Sequence, residues 1–493
     1  MLQQLDTADS VRRIVAPRTA QNHKAKLGQF MTPSSVARFM AGMFPHSVLR
    51  TCHLLDAGAG VGALSCAFLD RWVTGGFDFE SVEATVYEID EKLRGHLARH
   101  LAAYDRVTSH VIAGDYIELA ATNDLFTAKQ RTGYTHAILN PPYKKINSRS
   151  VHRLALRRVG IEAVNLYSAF VALAVSEAAP GGQIVAIIPR SFCNGPYYRP
   201  FRDFILERAT IRHIHLFASR NKAFKDDAVL QENLIIHLER GGQQGAVTVS
   251  TSTDDRFSDL TSHEHPFDRI VLPDDLERFI HVPITTGKSA IERSPAVRYS
   301  LADVGVKVST GPVVDFRLKE HLRDLPEPGA APLIYPGHLR MAGVVWPVPD
   351  SKKPNAIMRN GETEKWLYPN GFYCAVRRFS AKEEKRRVVA SVVVPATFGE
   401  HSMLGFENHL NLFHEDRHGL SEALARGLAV FLNTTAVDEH FRRFNGHTQV
   451  NATDLKLLKY PSRDTLIQLG EWVMRQGALT QEQIDDKLGT LAA

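Results

Sequence analysis

The sequence predicts an α/β protein with a doubly wound, mostly parallel sheet, because three of its features are typical of that architecture. Strand-like and helix-like segments alternate along the first half of the 493-residue chain. A glycine-rich turn that contains Gly58 and Gly60 follows the first buried strand. The tetrapeptide Asn140-Pro141-Pro142-Tyr143 directly follows a later one. In such sheets ligands bind outside the carboxyl ends of the strands, which is where both motifs fall.

The first predicted helix follows the segment Gly28 to Pro33. Thr32 is a good N-cap residue and Pro33 is a good first helical residue. Apolar residues recur at helical spacing from Val36 to Phe44, so this helix has a face to bury. We therefore expect an anchored helix and a preceding loop that can fold over a ligand.

A glycine-rich turn links the first strand to the next helix. The strand ends at Asp56, and Gly58, Gly60 and Gly62 follow at alternate positions. These glycines let the backbone pass close to a ligand. The spacing departs from the Gly-x-Gly-x-x-Gly pattern of dinucleotide-binding proteins, and the turn has no Lys-Ser or Lys-Thr pair. A nucleotide-triphosphate loop is therefore excluded.

Acidic residues end the next two predicted strands. The strand Ala84 to Asp90 ends in an acid that can bind two ribose hydroxyls, and the strand Val107 to Ala113 leads into Gly114 and Asp115. A carboxylate at Asp115 can accept a hydrogen bond from an adenine amino group. The glycine turn and the two acids together predict an adenosine site that does not grip phosphate.

The tetrapeptide after the fourth strand can hold an amino group on a flat heterocycle. The side-chain oxygen of Asn140 and the carbonyl of Pro141 both accept hydrogen bonds, and the paired prolines stiffen the backbone. Tyr143 can stack on the ring. The alternative is a strand end followed by an extended turn, since each proline biases its predecessor away from helix.

This order of motifs resembles the gamma class of S-adenosylmethionine-dependent N6-adenine DNA methyltransferases of restriction-modification systems. The resemblance runs from about Lys26 to Arg240 and more loosely beyond. It implies a sheet of the class I methyltransferase type and methyl transfer from S-adenosylmethionine to adenine N6 of a flipped-out base. It implies cofactor contacts from Gly28, Phe30, Thr32, Pro33, Asp56, Gly58, Gly60, Glu88 and Asp115. It implies catalytic roles for Asn140, Pro141, Pro142 and Tyr143, with Phe224 covering the other face of the base.

The remaining elements suggest two domains. Two strands, Ile211 to Phe217 and Asn233 to Leu238, could form an antiparallel pair at the sheet edge. The glycine-rich stretch Gly241 to Gly245 and the polar stretch Ser250 to Asp255 then predict a linker. We therefore expect a methyltransferase domain at 1–245 and a mixed α+β target-recognition domain with a helical tail at 246–493.

Double-stranded DNA is the partner that the resemblance implies, together with a cognate restriction endonuclease. A monomer is the favoured state. Basic and polar side chains suit contacts to phosphates and base edges, although each could equally be a solvated surface residue. The candidates are Lys144, Lys145, Arg190, Arg199, Arg442, Arg443, Asn445, His447 and Gln449.

The composition is ordinary for a globular protein, with 44% apolar and 23% charged residues and a net charge of +5. Four scattered cysteines form no Cys-x-x-Cys pair, which argues against a zinc site and a disulfide framework. We expect no metal, no membrane span and a cytoplasmic location. Three alternatives stay open: methylation of cytosine N4, methylation of an RNA base or a protein glutamine, and a binding module that has lost activity.

Overall fold

The structure, a computed structural model, describes residues 4–18, 31–121, 133–217, 232–273, 275–287, 289–341, 343–380, 384–444, 449–477 and 479–492. The chain divides into two compact units, Met1–Thr286 and Gly287–Ala493. Among the described residues, no helix has both the length and the apolar character needed to cross a membrane.

A nine-stranded sheet forms the first unit, in the order β3-β2-β1-β4-β5-β7-β6-β8-β9. Strands β1 to β5 all run parallel to one another, and β7 runs antiparallel to both β5 and β6. The strands are β1 Thr51–Ala57, β2 Ser81–Glu88, β3 Val107–Ala113, β4 Tyr134–Leu139, β5 Ala178–Pro189, β6 Ala209–Phe217, β7 Asn233–Arg240, β8 Val247–Ser252 and β9 Thr261–His265.

Helices cover both faces of this sheet, which confirms the doubly wound architecture. Neighbouring residues of one strand enter different cores: Leu54 joins one apolar cluster and Leu55 joins the other. This alternation follows from the two-residue period of a strand. The helices are α1 Gln4–Arg18, α2 Ser34–Gly42, α3 Ala63–Arg71, α4 Glu91–Leu101, α5 Tyr116–Ala121, α6 Val151–Arg158, α7 Leu166–Glu177 and α8 Arg199–Arg208, with a π-helical turn at Trp72–Gly76.

The predicted domain boundary after residue 245 is too early. Strand β8 pairs in parallel with β6, and β9 pairs antiparallel with β8, so the polar stretch read as a linker extends the main sheet. The antiparallel pair β6 and β7 is correspondingly not at the edge. The first unit ends at Thr286.

The predicted start of α2 is one residue early. Pro33 is the N-cap and Ser34 is the first helical residue, and no side chain caps the helix. Thr32 is therefore not the N-cap. Its hydroxyl is bonded elsewhere.

The second unit contains short, mostly antiparallel strands and a group of helices. Its sheets have the orders β10-β20-β17-β18, β11-β15-β12-β19-β16 and β13-β14. The strands are β10 Lys307–Thr310, β11 Leu322–Arg323, β12 Ala330–Ile334, β13 Leu339–Arg340, β14 Gly343–Val344, β15 Ala356–Met358, β16 Leu367–Pro369, β17 Tyr373–Arg377, β18 Ala390–Val393, β19 Met403–Phe406 and β20 Leu410–His414. The helices are α9 Ala290–Arg293, α10 Leu301–Val304, α11 Glu422–Leu432, α12 Thr435–Phe444, α13 Ala452–Leu457, α14 Arg463–Met474 and α15 Gln481–Ala492.

Helix caps in this unit follow local sequence. Asn451 caps α13 in a capping box with Asp454, as its position before an apolar helix predicts. The pair Thr480 and Gln483 likewise exchanges hydrogen bonds at the start of α15. The mixed α+β character and the helical tail predicted for the second half of the chain match these elements.

All four cysteines are free thiols inside the two units. Cys52, Cys66, Cys193 and Cys374 are each fully buried. Burial raises the pKa of the first three thiols to about 12, and it raises that of Cys374 further. These thiols are core residues.

Candidate active site

A cavity of about 320 Å³ opens at the carboxyl ends of β1 to β4. The residues that follow these four strands meet there, because neighbouring parallel strands end at the same edge of a sheet. The cavity wall includes Thr32, Gly58, Gly60, Glu88, Ile89, Asp115, Asn140, Pro142, Lys144, His152 and Phe170. The predicted cofactor and catalytic motifs therefore share one cavity.

The glycine turn forms one side of this cavity. Gly58 and Gly60 both have left-handed backbones, with φ of 78° and 59°. The N–H groups of Gly58 and Ala59 both donate to the carbonyl of Tyr87 at 2.9 Å. The turn is thereby tied to the end of β2, in a conformation that residues other than glycine rarely adopt.

Glu88 ends β2 and is held by two backbone N–H groups. Its two carboxylate oxygens accept from Gly60 and from Asp90, each at 2.7 Å. Only 2% of Glu88 is exposed, and burial raises its pKa despite these hydrogen bonds and the charge of Arg94. Each carboxylate oxygen has a second lone pair, so Glu88 can still accept from a ligand.

Asp115 follows β3 and forms an ion pair with His152 across the cavity wall. Their Oδ2 and Nε2 atoms lie 3.1 Å apart, and the other oxygen of Asp115 accepts from the backbone N–H of Glu118 at 3.2 Å. Burial alone would raise the pKa of Asp115, but its hydrogen bond to His152 and the charge of that ring lower it. The hydrogen bond to Asp115 raises the pKa of His152.

His152 was missed by sequence reasoning. It lies in α6, 37 residues from Asp115 in the chain, and no motif spacing connects the two. A lone histidine on a basic helix carries no local signal of a partner.

Asp56 was expected to contact the cofactor, but it is not among the residues that line the cavity. Its carboxylate is fully buried beneath the glycine turn, where Oδ2 accepts from the Ser65 hydroxyl at 2.6 Å. Burial raises the pKa of Asp56 to about 7, and the Ser65 hydrogen bond opposes this. The structure thus places this carboxylate against the start of α3 rather than on the lining of the cavity.

Asn140 follows β4 and is held at both ends of its amide. Its Nδ2 donates to the Thr32 hydroxyl at 2.9 Å, and the Tyr143 hydroxyl donates to its Oδ1 at 3.2 Å. The same hydroxyl lies 3.3 Å from the carbonyl of Ile187 in β5. Burial raises the pKa of Tyr143, so it stays a neutral donor. Pro142 lines the cavity, whereas Pro141 is buried.

Two of the predicted phosphate contacts from the first unit are exposed. Lys144 and Lys145 both lie on the surface directly after the tetrapeptide. Arg199 is half-exposed and lies 3.5 Å from a carboxylate oxygen of Glu277.

Arg190 was assigned wrongly, because its side chain is only 5% exposed and its guanidinium lies 3.5 Å from the carboxylate of Glu232. A buried cation that already has a buried carboxylate beside it does not present itself to DNA phosphates.

The segment from Phe441 to Phe444 is the end of helix α12. Arg442 forms an ion pair with Asp438 at 2.7 Å, one turn earlier in α12. Arg443 donates to the carbonyl of Gly287 at 3.1 Å. Gln449 forms an isolated bridge with Phe379. The predicted site residues Gly28, Phe30, Phe224, Asn445 and His447 lie outside the described residues.

Comparison with known proteins identifies the class. Residues 83–224 match the Eco57I restriction-modification methylase family. The type II methyltransferase M.BsuBI of Bacillus subtilis is 51% identical over 100% of this chain and 98% of its own length. M.PstI of Providencia stuartii, another type II methyltransferase, is 43% identical over 97% and 95%. A solved DrdV–DNA complex is 12% identical, with a TM-score of 0.49, and covers 95% of this chain and 59% of that one.

The matched family and the two type II relatives define a methyltransferase of a restriction-modification system. This chain belongs to the type II methyltransferases. It is a DNA methyltransferase.

Proposed function

We propose that the enzyme methylates adenine at N6 and that the cavity beside Asn140 is where it does so. The observation that carries this proposal is the shared cavity: the glycine turn, Glu88 and Asp115 line the same space as Asn140 and Pro142. A methyl donor seated on the first group would lie within reach of an amine held by the second.

The residues of the cavity fit S-adenosylmethionine. A volume of about 320 Å³ falls within the range of cofactor pockets. Glu88 and Asp115 supply acceptors for ribose hydroxyls and for an adenine amino group. Ile89 is an apolar side chain that lines the cavity and is 48% exposed. A flat ring against Ile89 would remove that apolar surface from water.

The target base must leave the duplex to reach this site. An adenine inside the helix cannot present its amino group, and turning it out costs a few kcal/mol, which stacking and backbone contacts offset. The exposed Lys144 and Lys145 follow the tetrapeptide and can bind phosphate there. Phe224, the candidate for covering the second face of the base, lies outside the described residues.

Asn140 is the residue that prepares the nucleophile. Its Oδ1 and the carbonyl of Pro141 would accept from the two N–H bonds of N6, which draws the nitrogen lone pair out of conjugation with the ring. When bound, S-adenosylmethionine supplies a methyl group on a positively charged sulfonium, whose sulfur is a good leaving group because it departs as a neutral thioether. Methyl transfer would place positive charge on N6, and the surplus proton on that nitrogen would then be acidic enough to pass to water. Asn140 therefore works by position and hydrogen bonding.

Replacing Asn140 with alanine tests this proposal. We expect Asn140→Ala to bind S-adenosylmethionine like the native enzyme and to lose about 100-fold or more in methyl transfer, the usual cost of removing a key hydrogen-bonding group. Calorimetry measures binding, and tritium transfer to unmethylated DNA measures turnover. Asn147→Ala is the control, since Asn147 is exposed in the loop that follows. Native turnover in Asn140→Ala would remove Asn140 from the mechanism.

The modified base is identified by hydrolysing the labelled DNA to nucleosides. We expect the label in the N6-methylated deoxyadenosine, whereas label in the N4-methylated deoxycytidine would overturn the adenine assignment. RNA and total protein serve as competing acceptors in the same assay. We further propose that the second unit recognises the target sequence and that a cognate endonuclease cuts the same site.

A further inference from the structure

Thr32 makes a contact that its position before a helix does not predict. A threonine just before a proline-led helix would ordinarily cap it, but α2 has Pro33 as its N-cap and no side-chain cap. The Thr32 side chain is instead buried, with 4% exposure, and its hydroxyl accepts from Asn140 Nδ2 at 2.9 Å. The two residues are 108 positions apart in the sequence.

The orientation of the Asn140 amide decides whether it can hold an amine. The oxygen and nitrogen of an amide have nearly the same shape but opposite hydrogen-bonding roles, so neighbours must fix which one faces the substrate. Thr32 takes the nitrogen end and Tyr143 donates to the oxygen end. An amide oxygen has two lone pairs, so it can accept hydrogen bonds from two donors.

We propose that Thr32 is a positioning residue that holds the Asn140 amide with its oxygen towards the target amine. This inference rests on the proposed function, because it assigns Asn140 the grip on N6. Thr32 also lines the cavity, so it sits between the cofactor-binding region and Asn140. Its action is on Asn140, which distinguishes it from a residue that only contacts the cofactor.

The two roles predict different kinetics. A residue that only contacts the cofactor would, when altered, weaken S-adenosylmethionine binding and leave turnover at saturation unchanged. A residue that orients Asn140 would lower kcat at saturation and leave the cofactor Kd nearly unchanged. The hydroxyl alone should matter, because it is the atom that Asn140 contacts.

Thr32→Val, which keeps the shape and removes the hydroxyl, is the main test. We expect kcat with saturating DNA and cofactor to fall about 10-fold or more, while the cofactor Kd stays within about 3-fold. Thr32→Ser restores the hydroxyl and should recover most of kcat. Calorimetric binding of S-adenosylmethionine shows that each variant is folded, and Thr32→Ala repeats the deletion with less bulk should Thr32→Val not fold.

A double-mutant cycle separates this contact from a general packing defect. In the Asn140→Ala background, Thr32→Val should have little further effect on kcat, because its partner amide is already gone. Full kcat in both hydroxyl-deleting variants, a loss confined to Kd, or additive losses in the double variant would each overturn the inference. A native enzyme that methylates no adenine would instead overturn the proposed function itself.

Discussion

Three acidic residues at the ends of β1, β2 and β3 share a position in the fold but not an environment. Asp56 is sealed beneath the turn, and burial raises its pKa to about 7. Glu88 is held by backbone N–H groups, and burial still raises its pKa. Asp115 has a histidine partner, and its pKa is lowered. The residue type alone therefore does not decide which acid faces a ligand.

The pair of Asp115 and His152 should make cofactor binding depend on pH. His152 faces Asp115, Glu118 and Lys144, and its pKa is raised, chiefly by its hydrogen bond to Asp115. The ion pair is therefore intact below the usual histidine pKa of about 6.5, and it is lost as pH rises through the raised folded value. We expect S-adenosylmethionine affinity to weaken about 2- to 5-fold between pH 6.5 and 9, because an ion pair with partly exposed partners is worth at most about 1 kcal/mol.

Calorimetry across that pH range measures this effect. In His152→Asn the affinity should be lower at pH 6.5 and nearly flat with pH. His110→Asn is a matched control, since His110 lies 3.3 Å from Glu83 and 51% of its side chain is exposed. An unchanged pH profile in His152→Asn would show that this pair does not govern cofactor binding.

At the level of elements, the sequence predicts those strands and helices that are determined by the pattern of neighbouring residues. Strands β1 to β4 each lead into a cofactor or catalytic motif, so the meeting of these motifs at one edge of the sheet follows from the sequence. The short helix α10 begins at a capping box formed by Ser300 and Asp303, which is a local sequence signal. The contacts of Thr32 and His152 are not predictable in this way, because their partners are distant in the chain.

The misplaced domain boundary has a similar cause. The stretch from Ser250 looked like a polar linker, but Ser250 and Ser252 are both buried in or at the end of β8. The Ser250 hydroxyl lies 2.7 Å from Nε2 of His213 and 2.9 Å from Nδ1 of His215, both in β6. Buried polar residues of this kind are paired with one another, which a polarity profile cannot distinguish from exposure to solvent.

The crossing of α11 and α14 should tolerate no side chain at its centre. A Cβ on Gly427 would lie 1.8 Å from the Leu466 carbonyl oxygen, and one on Gly470 would lie 1.7 Å from that of Ala423. We expect Gly470→Ala to lower the free energy of unfolding by about 1–3 kcal/mol or more, since the obstacle is backbone. Urea unfolding followed by circular dichroism measures this.

Gly95→Ala is the control for that prediction. Gly95 lies on the exposed side of α4 with nothing within 4 Å of an added Cβ. Alanine is the better helix former by up to about 1 kcal/mol, so this variant should be as stable as the native protein or more so. Equal stability of Gly470→Ala and the native protein would mean that the two helices can separate at no cost.

At the scale of the whole molecule, four histidines that are buried or partly buried should make the protein sensitive to acid. Burial lowers the pKa of His136 and His213 to about 4 and that of His215 and His237 to about 3. Below about pH 6.5 the unfolded chain binds protons that the folded chain does not, so stability falls as pH drops from about 6.5 towards 4. Each group contributes up to about 1.4 kcal/mol per pH unit.

Urea unfolding at pH 7, 6 and 5 measures this dependence. His237 donates to or accepts from Gln183 at 2.6 Å, and glutamine can keep a hydrogen bond there without titrating. His237→Gln should therefore reduce the slope of unfolding free energy against pH by about one group's share. A slope that does not change would assign the acid sensitivity to other groups.

Because all four cysteine thiols are buried, the native enzyme should react little with thiol-specific labelling reagents. Cys52, Cys66, Cys193 and Cys374 are closed to solvent and protonated at neutral pH, so maleimides should leave the folded chain unmodified. A single cysteine placed at Lys145, which is exposed beside the tetrapeptide, would then be the one reactive position. A fluorophore attached there could report the arrival of the duplex and the extrusion of its base in real time, without first replacing any native cysteine.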